Sequence, residues 1–371
     1  MLVGRASCPA TSPHRSPESA NADRFTALPV VDQAISYSEQ LAHLGWTAFF
    51  ANQVADDETA LAAHRIIEVH RTRLVSMSVT GTQPLVLPHE LKTADYAVGD
   101  WVLVEAASDR LIRRLDRNTL LQRRIEGRSD PQLAAANVDT LFIVTSCNAD
   151  FNPARLERYL AMANEAGTTP VIILTKADIA EAPDAFVDEA QTLQRNLPVI
   201  ALNALAQDAP AILAPWCVDG KTIALTGSSG VGKSTLVNAL GGPSRQTSQE
   251  TGDIRENDAK GRHTTTSRSM HLIQGGGWII DNPGMRNLHV SGVSDGIDTL
   301  FAEIVELAGA CKFRDCTHAH EPGCAVRSAI ATGSVSAARV ERWRKLFDEN
   351  RESTPQQTGP RGNRTIQKKF R

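Results

Sequence analysis

The sequence predicts a multidomain chain with a small β-barrel first, a doubly wound P-loop α/β domain in the centre, and a short α-helical zinc-binding domain near the C-terminus. Three observations carry this. Short alternating apolar runs fill the stretch before residue 130. A βαβ texture follows and contains the loop Gly227–Ser234. Three of the six cysteines then fall between positions 311 and 324. The 371 residues, 42% apolar and 22% charged, suit a soluble globular chain of two or three domains at about 100–200 residues each. No apolar run approaches the roughly 18 residues that span a bilayer, which excludes an integral membrane protein built on helices. A net charge of −3 excludes a uniformly basic nucleic-acid coat and leaves room for local basic patches.

Residues 1–35 are rich in Ser, Pro and Ala and lack periodicity, so a disordered extension is expected. Its first seventeen residues hold Arg5 and Arg15 and no acid, a composition shared by organelle transit peptides; a floppy extension is the favoured reading. Residues 36–130 should form a helical lead-in, around Leu41, Leu44, Trp46 and Phe49–Phe50, followed by a barrel. The expected strands are Ile66–Val69, Leu74–Val79, Leu85–Leu87 and Trp101–Val104. Val75, Met77 and Val79 alternate as a half-buried strand requires. Arg110, Arg113, Arg114, Arg117, Arg123, Arg124 and Arg128 cluster at its end, which would suit either an oligonucleotide-binding edge or an ordinary charged surface.

Residues 131–299 change texture. Leu141–Thr145 and Val171–Leu174 are continuous apolar runs, as in buried parallel strands. Between them Arg155–Ala166 places Leu156, Tyr159, Leu160 and Ala163 on one helical face. Pro198–Leu202, Thr222–Leu225 and Trp278–Ile280 continue the strands. Residues 300–350 are expected to be helical around the cysteines, and 351–371 to form a basic tail.

The run Gly227-Ser228-Ser229-Gly230-Val231-Gly232-Lys233-Ser234 fits G-x-x-x-x-G-K-[ST], directly after a strand and before the helix Thr235–Leu240. Its glycines let main-chain N–H groups wrap phosphates at a helix N-terminus. Lys233 would neutralise β/γ oxygens, and the Ser234 hydroxyl would ligate Mg²⁺. Asp281 ends a strand in Asp281-Asn-Pro-Gly284. It can hold the Mg²⁺ shell, and Gly284 can offer an amide to a γ-phosphate. Thr265, within Thr264–Thr266, is the hydroxyl expected to complete that shell. Thr175-Lys176-Ala177-Asp178 follows another strand. An Asp so placed accepts hydrogen bonds from the ring N–H and exocyclic amine of guanine, so GTP is expected rather than ATP. Asn203-Ala204 would meet the guanine oxygen.

The base-reading motif here precedes the phosphate loop, the reverse of the usual order. The domain therefore reads as a circularly permuted GTPase, since neighbouring chain ends can be joined and reopened elsewhere. Ras-like enzymes place Gln just after D-x-x-G, whereas Met285 stands here and cannot orient water. Intrinsic hydrolysis should be slow, with His263 the candidate helper beside Lys233; an exposed loop histidine without a role is the alternative.

Cys311, Cys316, His318 and Cys324 form C-x₄-C-x-H-x₅-C. Three thiolates and one imidazole make a closed tetrahedral zinc set, structural rather than catalytic, with His320 a nearby competitor to His318.

These features together resemble the ribosome small-subunit-dependent GTPase family (RsgA, also called YjeQ). The resemblance covers nearly all of residues 40–350. Its marks are Leu44-Gly-Trp46, Val98-Gly-Asp-Trp-Val102, Ala135-Ala-Asn-Val-Asp139, Arg155-Leu-Glu-Arg-Tyr159, the phosphate loop, Gly261-Arg-His-Thr-Thr-Thr266 and the cysteine cluster. It implies an N-terminal OB-fold, a permuted GTPase core and a C-terminal zinc domain. It further implies GTP hydrolysis to GDP stimulated by the small ribosomal subunit, in late maturation of that subunit, through contact with its rRNA near the decoding region. Thr175 in place of Asn, Asn203 in place of Ser and the long N-terminal extension are departures from the pattern. A cytoplasmic monomer that touches no membrane is expected. The competing readings are an RNA-binding assembly scaffold with nucleotide as a structural timer, and a permuted GTPase acting on the large subunit.

Overall fold

The structure, a computed structural model, describes residues 36–123, 131–241, 268–281 and 291–354. Two short helices, α1 (Tyr37–His43) and α2 (Ala48–Ala51), replace the longer lead-in helix expected from sequence. The break falls at Gly45, whose φ of 89° no α-helix continues through, and beyond it the Trp46 and Phe50 rings pack 4.8 and 5.8 Å from the fully buried Trp101.

The barrel strands are β1 (Ala62–Val69), β2 (Leu74–Ser78), β3 (Gly81–Leu85), β4 (Trp101–Glu105) and β5 (Arg110–Arg114). Strand β1 pairs antiparallel with β2 and β4, β2 with β3, and β4 with β5. A parallel bridge between Val86 and Arg110 closes the ring in the order β1-β2-β3-β5-β4. Ile66, Leu74, Leu85, Val102, Val104 and Leu111 fill its centre. Strand β5 lies inside the arginine-rich run. Its one fully buried side chain, Leu111, is too weak a periodic signal to read from sequence. A separate ribbon, β6 (Leu120–Arg123) with β7 (Gln132–Ala136), was likewise not foreseen.

The α/β core follows: β8 (Thr140–Ser146), α3 (Pro153–Glu165), β9 (Thr169–Thr175), α4 (Pro183–Gln191), β10 (Val199–Ala201), α5 (Ala209–Leu213), β11 (Thr222–Gly227), α6 (Lys233–Gly241), β12 (Arg268–Leu272) and β13 (Trp278–Asp281). Strands β10-β9-β8-β11-β13 are parallel, and β12 adds antiparallel to β13. Strand β12 also pairs with β1, through Glu68–Ser269 and Val69–Arg268. Core and barrel thus share one eleven-stranded sheet rather than meeting as two separate sheets.

A fully buried arginine fastens the same junction. Arg65 on β1 donates to Leu44 O (2.5 Å), Asn137 O (3.2 Å) and Thr222 Oγ1 (2.8 Å). Burial pulls its pKa down to about 10, which still leaves it charged at neutral pH.

Among the described residues four more helices follow: α7 (Ser294–Leu300), α8 (Ala302–Gly309), α9 (Ala325–Ala331) and α10 (Ala337–Ser353). Ile297, Leu300, Phe301 and Ile304 share a core with Leu156 and Leu160 of α3. Among the described residues, no helix is long and apolar enough to cross a membrane.

Candidate functional site

The phosphate loop leaves the C-terminal end of β11, which pairs with β8 on one side and β13 on the other. Gly227 has φ 138°, and a Cβ there would sit 2.1 Å from Val144 O on β8, so only glycine lets the loop begin against its neighbour strand. Gly232, with φ 93°, turns the chain into α6, whose first turn holds Lys233, Ser234 and Thr235. Val231 is buried and anchors the loop in the core, while Ser229, Gly230 and Ser234 are exposed. The Lys233 ammonium donates to Gly227 O at 2.8 Å and to Ser228 O, so it lies over the start of the loop.

Thr175 ends β9 beside this loop. Its hydroxyl faces Val231 O at 2.7 Å and Thr145 O at 3.1 Å. The departure from Asn therefore has a structural role, because this side chain ties the Thr175–Asp178 loop to the phosphate loop. Lys176 takes a left-handed conformation (φ 59°) that turns the chain, and Asp178 is exposed just beyond. Leu202 N donates to Leu174 O at 2.9 Å, which brings the loop after β10 alongside. Ala177 N donates to Leu202 O at 3.4 Å, Ala204 is buried, and Asn203 Oδ1 accepts from Leu205 N at 2.9 Å to set the local turn. Asp281 is the last residue of β13, next to β11.

All of these residues lie at the C-terminal edge of the parallel strands. There β9 and β10 run off to one side of β8 while β11 and β13 run off to the other, the position where ligands bind in such sheets. His263, Thr265, Gly284 and Met285 lie outside the described residues.

Three charged residues of α3, Arg155, Glu157 and Arg158, were not singled out individually by sequence reasoning. Arg155 stands in its first turn, where Asn152 Oδ1 caps the helix by accepting from Arg155 N at 3.0 Å. Its guanidinium donates to the Ser228 hydroxyl on the phosphate loop. Glu157, 1% exposed, accepts from Arg339 Nη1 (2.7 Å) and from Arg342 Nε (2.8 Å), both on α10. Arg339 also meets Glu303 at 3.0 Å and packs its guanidinium over the Phe301 ring at 4.1 Å. Arg158 pairs with Glu349 at 2.6 Å. One helix thus touches the phosphate loop at its start and the C-terminal helices along its flank.

The second site is the Cys/His cluster. The ligand atoms of Cys311, Cys316, His318 and Cys324 all lie within 4.8 Å of one another. His318, not His320, points inward. Its Nδ1 is 3.4 Å from Cys311 Sγ and 3.5 Å from Cys324 Sγ. Burial, helped by the Arg344 charge, lowers the His318 pKa and keeps the ring in the neutral form that binds metal. Burial raises the Cys311 thiol, but the N–H groups of Ala325 and Val326 and the neighbouring thiols outweigh it, so the net shift is downward, toward thiolate. Ala325 N reaches Cys311 Sγ at 3.3 Å, and Cys324 caps α9 by accepting from Arg327 N at 3.4 Å. The Trp343 ring of α10 lies against His318, tilted by 54°, with centroids 5.6 Å apart. This donor set fits one tetrahedral thiophilic ion and would fill all four of its positions, with none open for chemistry.

The arginine cluster of the barrel divides. Arg117 forms a two-pronged pair with the fully buried Asp100, at 2.6 and 2.7 Å, and Arg113 grips Glu58 at 2.5 Å. These two serve the fold. Arg110 on β5, Arg71 and Arg73 in the β1–β2 turn, and Lys92 are exposed. Arg124 and Arg128 lie outside the described residues.

The RsgA GTPase sequence profile matches residues 114–291. The chain is 61% identical over 335 residues to the small ribosomal subunit biogenesis GTPase RsgA of Mesorhizobium japonicum, an alignment covering 90% of this chain and 97% of that protein. It is 45% identical over 320 residues to the small ribosomal subunit biogenesis GTPase RsgA 2 of Vibrio parahaemolyticus, covering 86% and 88%. Among solved structures, YjeQ from Thermotoga maritima superposes with a TM-score of 0.58 at 24% identity, covering 78% of this chain and 98% of that one. YloQ, described as a circularly permuted GTPase, superposes with a TM-score of 0.57 at 22% identity, covering 82% and 99%. The permuted order of β9 and β11 is therefore that of a known fold, and the chain belongs to the RsgA GTPase family.

Proposed function

We propose that this protein hydrolyses GTP to GDP in response to the small ribosomal subunit and acts late in maturation of that subunit. One observation carries the reading: the Thr175 hydroxyl bonds Val231 O, so a guanine-type loop and a phosphate loop form one site on one sheet edge. In this reading Asp178 accepts from the guanine ring, with Thr175, Lys176 and Ala177 positioning it and Asn203 and Ala204 closing the other side. Gly227–Gly232 and Thr235 wrap the phosphates with main-chain N–H groups, Gly284 adds an amide, and Lys233 neutralises β/γ charge. Ser234, Asp281 and Thr265 hold Mg²⁺, which screens phosphate charge when bound. His263 takes the place of the missing Gln in orienting water.

Cys311, Cys316, His318 and Cys324 hold one structural Zn²⁺. The ring order β1-β2-β3-β5-β4, with its single parallel contact, supports an OB-type barrel. Its exposed Arg71, Arg73, Lys92 and Arg110 supply the charge for rRNA phosphates. The division proposed is an extension (1–35), a lead-in with the barrel (36–130), the GTPase core (131–299), the zinc domain (300–350) and a basic tail (351–371), in a cytoplasmic monomer.

The test is GTP turnover by the purified chain, alone and with isolated small or large subunits, with ATP as control. Stimulation by small subunits only, and with GTP only, is expected. Stimulation by large subunits would overturn the partner, and equal use of ATP would overturn the role of Asp178.

A further inference from the structure

One of the two arginines of α3, Arg155, reaches the phosphate loop. Arg155 is partly buried and donates to the Ser228 hydroxyl. Among the described residues no carboxylate forms an ion pair with it, unlike Arg113, Arg117, Arg158 and Arg339, each of which has one. A cation whose guanidinium has, among the described residues, a neutral hydroxyl as its hydrogen-bond partner keeps most of its charge available to an anion. The Lys233 ammonium lies against the same residue, through Ser228 O. In a loop of this kind that amine serves the β- and γ-phosphates, so Arg155 stands at the terminal-phosphate end of the cradle. It is also held firmly. Asn152 caps the helix at Arg155 N, and the next turn is pinned by Glu157 to Arg339 and Arg342 and by Arg158 to Glu349.

We propose that Arg155 is a catalytic residue of this chain, an arginine supplied in cis that exchanges the Ser228 hydroxyl for an oxygen of the terminal phosphate of bound GTP. The inference rests on the GTPase reading above and adds a residue to it. In the reaction the oxygen of water bonds to the γ-phosphorus, and the bond from that phosphorus to the bridging oxygen breaks with its electron pair left on GDP. The protons of the water pass to phosphate and solvent. Arg155 gains and loses no proton. Its N–H groups follow the charge that grows on the phosphoryl and bridging oxygens, the service an arginine renders in other GTPases. A hydrolytic site whose D-x-x-G is followed by Met285 has particular need of such charge.

The test uses the full chain carrying Arg155→Met or Arg155→Lys, with thermal melting to establish folding. Single-turnover GTP hydrolysis is measured with and without small subunits. Affinities for GDP and for a non-hydrolysable GTP analogue are measured in parallel. Arg155→Met should lose on the order of 10³-fold in stimulated turnover, and bind the GTP analogue at least fivefold more weakly while GDP binding changes by less than about twofold. Arg155→Lys should recover part of the rate, and free guanidinium should restore part of it to an Arg155→Ala variant. Parallel loss of GDP and GTP-analogue affinity would reveal a merely structural hold on Ser228 and overturn the proposal. So would hydrolysis by Arg155→Met within threefold of the unaltered chain. If the unaltered chain shows no turnover that Lys233→Ala abolishes, the GTPase reading itself fails, and the two affinities still decide whether Arg155 senses the third phosphate.

Discussion

The nucleotide site and the Cys/His cluster hold their side chains in opposite ways. Around the nucleotide, geometry comes from the main chain: four strand ends, a glycine pressed against Val144 O, and a helix N-terminus. Side chains such as Lys233 and Asp178 are attached to a frame that exists without them. Around Cys311, Cys316, His318 and Cys324 the chain between α8 and α9 forms no strand and no helix, and four ligand atoms converge from a loop. There the four side chains, with the ion proposed to join them, are the frame. Removing one residue should therefore cost chemistry in the first site and structure in the second.

The largest expected effect lies in the second site. Cys316→Ala, or chelation of the native chain, should remove a metal whose binding is worth about 10 kcal/mol or more in small structural sites. Residues 302–331 should then lose protection from hydrogen exchange while β8, β9 and β11 keep theirs. Metal analysis beside hydrogen exchange checks this, and a zinc-free variant with unchanged protection would break the comparison. Next is Lys233→Ala, expected to lower GTP turnover by about 10²-fold or more through lost charge stabilisation, with a melting temperature within about 2 °C of the unaltered chain. A collapse of stability instead would mean that the frame depends on the side chain.

The link between the two regions gives a third measure. Glu157→Gln leaves Arg339 and Arg342 facing a neutral amide in a buried setting, and breaking such pairs costs about 3–5 kcal/mol. Denaturant unfolding should show a loss in that range, reduced because Glu303 still meets Arg339. The smallest effect belongs to Thr175→Ala, which removes one hydroxyl bond between the base-reading and phosphate loops. About 1 kcal/mol is expected, seen as a several-fold weaker affinity for GDP and for GTP alike.

The same contrast explains what could be read from sequence. Gly227–Ser234, Thr175–Asp178 and the four zinc-type ligands are local patterns whose chemistry needs close spacing, and each was legible. The parallel strands were legible as apolar runs. Strands β6 and β12 were not, because β6 takes its meaning from a pairing of Leu120 with Ala136, and β12 from partners on both β13 and β1. Glu157 and Arg339 lie 182 positions apart, beyond any periodicity. The arginine cluster was visible as composition, but composition has no direction, so the pairing of Arg113 with Glu58 and of Arg117 with Asp100 could not be foreseen. Arg155 carried two weak signals: it opens the run Arg155–Tyr159 that marks the family resemblance, and it is a cation in the first turn of the helix that follows β8, the strand beside the phosphate-loop strand.

One measurement bears most directly on the separation of the two sites. GTP turnover by the unaltered chain and by Cys316→Ala would be compared, each with and without isolated small ribosomal subunits. The account predicts basal turnover within about threefold of the unaltered chain, since the frame of the nucleotide site is main chain, and loss of the small-subunit stimulation. Loss of basal turnover together with the metal, or full stimulation without it, would contradict the account.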